Sequence, residues 1–281
     1  MKAVYLFLFS LFICACSSKK RVTSPLKVMT YNIRLDVASD GENAWPNRKD
    51  FLTNHILFLA PDVLGVQEAK PNQIEDLNNA LTGYKFIGEG RDGLKKGEYS
   101  AIYYNSEKVE VIEEHTFWLS KTPTKVSIGW DAACPRICTY GLFSFKNSDK
   151  KFWAFNTHLD HVGSIAQKKG LQLILNKIAL KNTENYPIIL TGDLNVTPDN
   201  DILKETKKIM NDTKNVANIR FGADGTFNGF KYNQPVTRRI DYIFISKLNT
   251  LKVDKYAVLS SVVDFKFPSD HFPVFAELKL E

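Results

Sequence analysis

The chain has 281 residues, 44% of them hydrophobic and 24% charged, which excludes a disordered polypeptide and allows one large core or two small ones. Its formal charge is +6 and its pI is near 8.9, an excess that fits a polyanionic substrate, an anionic membrane surface or neither. No lysine or arginine run is long enough to track a nucleic-acid backbone, and no repeat of fixed period is present.

The N-terminus reads as an export signal. Lys2 precedes an apolar run, Val4 to Ala15, that is too short to span a bilayer comfortably. Ile13-Cys14-Ala15-Cys16 resembles a bacterial lipoprotein cleavage box, which implies loss of residues 1–15 and a lipid on Cys16. Residues 16–25 then form a polar tether, and 26–281 the domain. An ordinary cleaved signal or a transmembrane anchor is the alternative. Ser17 after the cysteine favours the outer membrane, so the expected location is the bacterial cell envelope, periplasmic or surface-facing, held by two or three acyl chains. Loss of Lys2 leaves the mature charge at about +5.

Beyond the tether, Lys27 to Asn32 reads as a buried strand. Pro46 to Leu59 carries apolar residues at helical spacing and stops before Pro61. Asp62 to Gln67 is a strand ending at Glu68, and Pro71 to Leu81 a helix with proline in its first turn. Strands follow at Tyr84–Ile87, Tyr99–Tyr104, Val109–Phe117, Cys138–Phe145 and Phe152–Thr157. Ser164 to Leu180 is a long helix, Pro187 to Thr191 a strand and Asp199 to Ile209 a helix. Ile240–Ser246, Lys252–Leu259 and Pro273–Leu280 close the chain as strands. So many consecutive strands argue for two mixed, mostly antiparallel sheets packed face to face with helices outside.

Cys134 and Cys138 stand apart from the leader. An oxidising periplasm permits a disulfide between them, while Pro135 in an extended chain would hold them apart. With no histidine nearby they make no zinc site. Gly88 to Gly97 has the glycine content of a phosphate cradle, but no helix follows, so it reads as a mobile surface loop.

Four short segments place acids, amides and imidazoles just after apolar runs: Thr157 to His161, Gly192 to Asn195, Arg239 to Tyr242 and Ser269 to His271. Singly, each has a plain reading: Glu68 a solvated rim residue, Gly-Asp-x-Asn a turn, Asp270-His271 another turn. Asp241, at the start of a buried strand, is costly without a partner, and a histidine is the obvious one. Together they offer hard oxygen ligands suited to Mg²⁺ or Mn²⁺, an Asp–His pair suited to general-base work, and donors for a phosphate.

Thr30 to Arg34, Gly65 to Glu68, Asn156 to His158, Gly192 to Asn195, Arg239 to Tyr242 and Ser269 to Pro273 match, in order, the motifs of the endonuclease/exonuclease/phosphatase family, over roughly residues 27–280. The resemblance implies an α/β fold, a four-layer α/β/β/α sandwich of deoxyribonuclease I type, with the site at one end of the two sheets. It implies that Glu68 binds the divalent metal with Asn32 and Asp270, and that His271 is the general base, oriented by Asp241. It further implies that Asp193 and Asn195 position the attacking water, that Asn195, Asn32 and His158 contact the phosphate, and that Glu98 pairs with His158. Arg136 resembles an arginine of the family that either reaches a phosphate or pairs with a core acid. His161 either shapes the substrate rim or caps the helix near Ser164, and Trp130 either stacks on a substrate ring or packs in the core. His55 and His115 read as structural or exposed.

The implied activity is hydrolysis of a phosphodiester or phosphomonoester by in-line attack of water, by a monomer acting on nucleic acid, a phospholipid headgroup or a sugar phosphate. The absence of basic insertions disfavours a groove-binding nuclease, and that of a long apolar hairpin disfavours a lipid-inserting mode. The alternatives are a catalytically silent envelope binding module on the same fold and a protein-interaction scaffold.

Overall fold

A computed structural model describes residues 25–248 and 250–280. The export signal and the lipidation site at Cys16 therefore lie outside the described residues. In chain order the strands are β1 Leu26–Asn32, β2 Val63–Ala69, β3 Tyr84–Ile87, β4 Tyr99–Asn105, β5 Val109–Trp118, β6 Ile137–Phe145 and β7 Lys151–His158. They continue as β8 Ile188–Asp193, β9 Met210–Asp212, β10 Ile219–Gly222, β11 Asp241–Ser246, β12 Leu251–Val258 and β13 Val274–Leu280. The α-helices are α1 Lys49–Leu59, α2 Pro71–Ala80, α3 Ser164–Lys181, α4 Leu203–Ile209 and α5 Thr213–Val216.

Two mixed sheets result. One runs β10-β12-β13-β1-β2-β4-β3, the other β5-β6-β7-β8-β11-β9. Each has a parallel pair at its centre, β1 with β2 and β7 with β8. Three apolar clusters separate four layers. Val28, Val63, Ile102, Phe143, Ala154, Ile189 and Ile243 fill the space between the sheets. Leu52, Ile56, Ile74 and Leu77 of α1 and α2 pack on the outer face of the first sheet, against Met29, Leu64 and Tyr103. Leu171, Ile174, Leu175 and Ile178 of α3 pack on the outer face of the second, against Tyr140, Phe155 and Leu190. This is the α/β/β/α sandwich expected, because strands buried on both faces read as continuous apolar runs and helices as one-sided ones.

The sheets are stitched at the site end by buried polar groups. Asn156 Nδ2 donates to Val66 O at 2.9 Å and Ala101 O at 2.8 Å across the sandwich. Its Oδ1 accepts from Gln67 Nε2 at 2.7 Å and from Thr191 Oγ1 at 3.1 Å. Gly65 makes this approach possible, since a Cβ there would lie 2.3 Å from Thr191 Oγ1.

Some element bounds differ from expectation. The predicted Pro46–Leu59 helix is broken at Arg48, whose guanidinium donates to the backbone carbonyls of Ile33, Arg34, Asn43 and Pro268. The predicted Asp199–Ile209 helix starts only at Leu203. Thr197 donates to the Asp199 carboxylate and Asn200 accepts from Ile202 N, holding the first residues in turns. β9, α5 and β10 are too short to show a period. Cys134 and Cys138 are both free thiols: Cys138 is buried in the core under α3, while Cys134 lines the pocket described below.

Candidate active site

Strand direction gathers the candidate residues at one end of the sandwich. Asn32, Glu68, His158 and Asp193 stand at or near the C-terminal ends of β1, β2, β7 and β8, and Asp241 opens β11. In register, Asp193 faces His158 on β7 and Asp241 on β11. The β12–β13 connection brings in Asp270 and His271. Glu68 reaches the site through an irregularity in β2 between Val66 and Ala69, where it adopts a left-handed φ of 65°. Asn195 and Arg34 share that conformation, with φ of 55° and 56°. Such backbone is sparsely populated for residues with a Cβ and tends to collect at functional sites.

Asp193 is the hub. Its Oδ2 accepts from Asn32 Nδ2 at 3.0 Å and lies 3.5 Å from His158 Nε2 and 3.7 Å from His271 Nε2. Its Oδ1 accepts from Asn195 N at 2.9 Å. Burial, with Asp241 nearby, pushes its pKa up to about 7. His271 Nδ1 donates to Asp241 Oδ2 at 2.8 Å, and both side chains are buried. Burial opposes charge on His271, but Asp241, with Asp193 and Asp270, outweighs it and raises the pKa to about 10. His158 is the opposite case. Burial, then Arg136, His271, Arg91 and His161, push its pKa well below the usual value, so it is a neutral imidazole. Asn195 Nδ2 lies 3.0 Å from its Nε2.

Two sets of ligand-bearing groups converge within 4.8 Å: Glu68, His158 and Asp193, and Asp193, Asp241 and His271. Burial raises the Asp270 carboxyl above its ordinary range, and Glu68 adds to the effect. Buried acids that repel one another in this way fit a hard divalent cation, which would offset their charge. Glu68 and Asp270 suit such an ion. Asn32 Oδ1 accepts from Arg34 N at 3.0 Å, and its Nδ2 donates to Glu68 Oε1 at 2.9 Å as well as to Asp193. It ties the two carboxylates together with its nitrogen.

Glu98 is the clearest correction. It makes no hydrogen bond to His158, whose Nδ1 is buried without a partner. Both Glu98 oxygens are taken by Arg91, at 2.8 Å and 2.7 Å, because a guanidinium fork outcompetes a neutral imidazole. Arg136 pairs with a buried acid, its Nε lying 3.4 Å from Asp160 Oδ2, and it also lines the pocket. His161 is exposed and accepts from Arg136 at 2.9 Å through Nδ1. The start of α3 is capped instead by Asp131, which accepts from Ile165 N and Ala166 N. Trp130 is half-buried, outside the core. His55 packs on Phe51 and meets Ser261, and His115 is exposed on β5.

Glu68, Glu98, Arg136, His158, His161, Asp193, Asn195, Asp270 and His271 line one open pocket of about 400 Å³. Sequence reasoning assigned no role to Arg34, Arg91, Arg238 or Phe227, which also line it. Arg91 hides in a loop whose glycines dominate its composition. Its one signal was the opposite charge of Glu98 seven residues on.

A model of the endonuclease/exonuclease/phosphatase family matches residues 29–271. The chain belongs to this family. Within it, the chain is 38% identical to the mannosyl-6-phosphatase Bt3783 of Bacteroides thetaiotaomicron, covering 90% of this chain and 99% of that one with a TM-score of 0.85. It is 37% identical to an endonuclease/exonuclease/phosphatase protein of Bacteroides vulgatus, covering 92% and 100%, with a TM-score of 0.87. An uncharacterized protein of Acanthamoeba polyphaga mimivirus, L388, is 35% identical over 173 residues, 58% of this chain. That match spans 63% of the viral protein, under two thirds of its length. Members of the endonuclease/exonuclease/phosphatase family carry the phosphoesterase fold seen here, and the site end of the sandwich holds a candidate carboxylate–histidine metal site.

Proposed function

We propose that the chain is a divalent-metal-dependent phosphoester hydrolase. The observation that carries this reading is the buried Asp241–His271 pair facing Asp193, with Glu68, Asp270 and His158 in the same pocket. Glu68 and Asp270 would hold Mg²⁺ or Mn²⁺, which when bound supplies positive charge to the phosphoryl and leaving oxygens. Asp193 and Asn195 hold the attacking water. His271 takes its proton while Asp241 fixes the ring, which requires the neutral imidazole. Asp241, Asp193 and Asp270 around it favour the charged form, so the base is usable only when their charge is offset. The water oxygen bonds to phosphorus, the ester P–O bond breaks in line, and the departing alkoxide gains a proton from solvent. His158 is neutral, and in the tautomer that carries its proton on Nε2, the nitrogen beside Asp193 and Asn195, it donates to a phosphate oxygen.

The substrate we favour is a small phosphorylated sugar. A pocket of about 400 Å³ suits a ligand of that size, and a relative 38% identical over nearly its whole length carries the name mannosyl-6-phosphatase. We place the protein in the cell envelope as a monomer lipid-anchored at Cys16, on the strength of the leader sequence.

The test is a screen of DNA, RNA, phospholipids and phosphosugars with added Mg²⁺ or Mn²⁺, run beside His271→Ala. Metal-dependent turnover of a phosphosugar, lost in the variant, supports the reading. Turnover of nothing, or turnover indifferent to the variant, defeats it.

A further inference from the structure

The pocket is not equally open on its two sides. Towards Arg238, Phe227, Arg34 and Leu35 it faces solvent. On the other side Arg91 and Arg136 stand beside His158, and beyond them, between Ser100 and Pro135, the space shrinks to about 10 Å³. That is room for about one water molecule. A phosphate lodged against His158 therefore has space for a carbon chain on the Phe227 side and none on the Arg91 side.

Arg91 is held in place by its surroundings. Its backbone N donates to Glu98 O at 2.9 Å, its carbonyl accepts from Trp118 Nε1 at 2.7 Å, and its guanidinium is forked onto Glu98. The loop around it is cross-bonded, with Gly90 N donating to Leu94 O at 2.7 Å and Asp92 N to Lys96 O at 3.1 Å. Gly90 permits this fold, since a Cβ there would lie 1.9 Å from Lys96 O. A fork fixed by its own carboxylate still has N–H groups to spare, and a guanidinium has five.

We propose that Arg91, with Arg136, forms a wall that receives the unesterified oxygens of a terminal phosphate, so that the chain hydrolyses phosphomonoesters in preference to phosphodiesters. The proposal rests on the phosphoester-hydrolase reading above and adds the substrate class. A monoester presents three non-bridging oxygens and nearly two negative charges, one oxygen and about one charge more than a diester. The metal ligands and His158 account for two of those oxygens, and the arginine wall for the third. A diester would have to push its second arm into a crevice of about 10 Å³. Arg91, Arg136 and His158 line the same pocket. Glu98 is then a positioning residue for Arg91.

The experiment compares kcat/KM for a hexose 6-phosphate and for its methyl phosphodiester, with Mg²⁺ present, in wild type, Arg91→Ala and Arg91→Lys. Wild type is expected to favour the monoester. Arg91→Ala should lose about 10- to 100-fold on the monoester, the scale of one charged hydrogen bond, with little change on the diester. Inorganic phosphate should inhibit Arg91→Ala more weakly than wild type. Arg91→Lys keeps the charge without the fork, and recovers only part of the preference. Equal use of both esters by wild type, or equal loss on both in a variant that melts like wild type, overturns the assignment of Arg91. If the alanine variant does not fold, the wild-type ratio and the lysine variant still decide. A wild type that cleaves neither ester removes the proposed function itself, and this inference with it.

Discussion

Asp160 shows how much one buried acid holds at the edge of this pocket. Its Oδ1 accepts from Val162 N at 3.0 Å and Gly163 N at 2.7 Å, and its Oδ2 accepts from Ala133 N at 3.1 Å beside Arg136. Burial alone would raise its pKa, yet the Gly163 and Val162 donors and Arg136 outweigh it and the pKa falls. A depressed folded pKa means that the stabilisation is complete above the ordinary carboxylate value of about 3.9 and is lost as pH falls through the lower folded value. Asp160→Ala should therefore cost about 3–5 kcal/mol near neutral pH, because Arg136 is left buried without its carboxylate partner. Urea unfolding at pH 7 and pH 3 checks this: the gap between variant and wild type should narrow at the lower pH. Asp241→Asn is a different residue-scale case. It leaves the ring in place with the wrong tautomer favoured, and should slow turnover by about 10²- to 10⁴-fold with little change in melting. A variant that works at the wild-type rate would remove Asp241 from the base pair.

The elements owe their placement to small features of β2 and β8. Gly65 brings β2 against Thr191 of β8, and Asn156 of β7 bonds across to Val66 and Ala101. A methyl group at position 65 must displace those partners. Gly65→Ala should therefore destabilise the fold by about 1–3 kcal/mol, the usual range for overpacking, read as a lower urea midpoint at unchanged slope. An unchanged midpoint would show that the two sheets tolerate separation here. The long apolar strands and the helices α2 and α3 were legible in the sequence because burial on two faces or on one leaves a period. The candidate acids and histidines were legible because they sit where those runs stop. What the sequence hid is tertiary. Glu98 was expected at His158 and is held by Arg91, a choice made by which side chain lies nearer in the folded loop. Asn32, expected to contact the metal, also ties Glu68 to Asp193 through its nitrogen, a bridge between two sheets that spacing along the chain does not reveal.

At the scale of the whole molecule, both sheets must be assembled for the site to exist. Asn32, Glu68 and Asp270 come from the first sheet and its connections, and His158, Asp193 and Asp241 from the second. An ion held by Glu68 and Asp270 would bind only the folded chain, so Mg²⁺ or Mn²⁺ should raise the melting temperature. The gain is about 2.7 kcal/mol at a hundredfold excess over the dissociation constant. Glu68→Gln should abolish that shift, and a shift that survives it would place the ion elsewhere. Groups that act through one site also fail together rather than additively. The most direct test of convergence is thus the metal-dependent rate of phosphate release for His271→Ala, Asp193→Ala and the double variant. Each single change is expected to remove most of the activity, and the double variant to be about as slow as the worse single one. Losses that simply multiply, or singles that turn over like wild type, would contradict convergence.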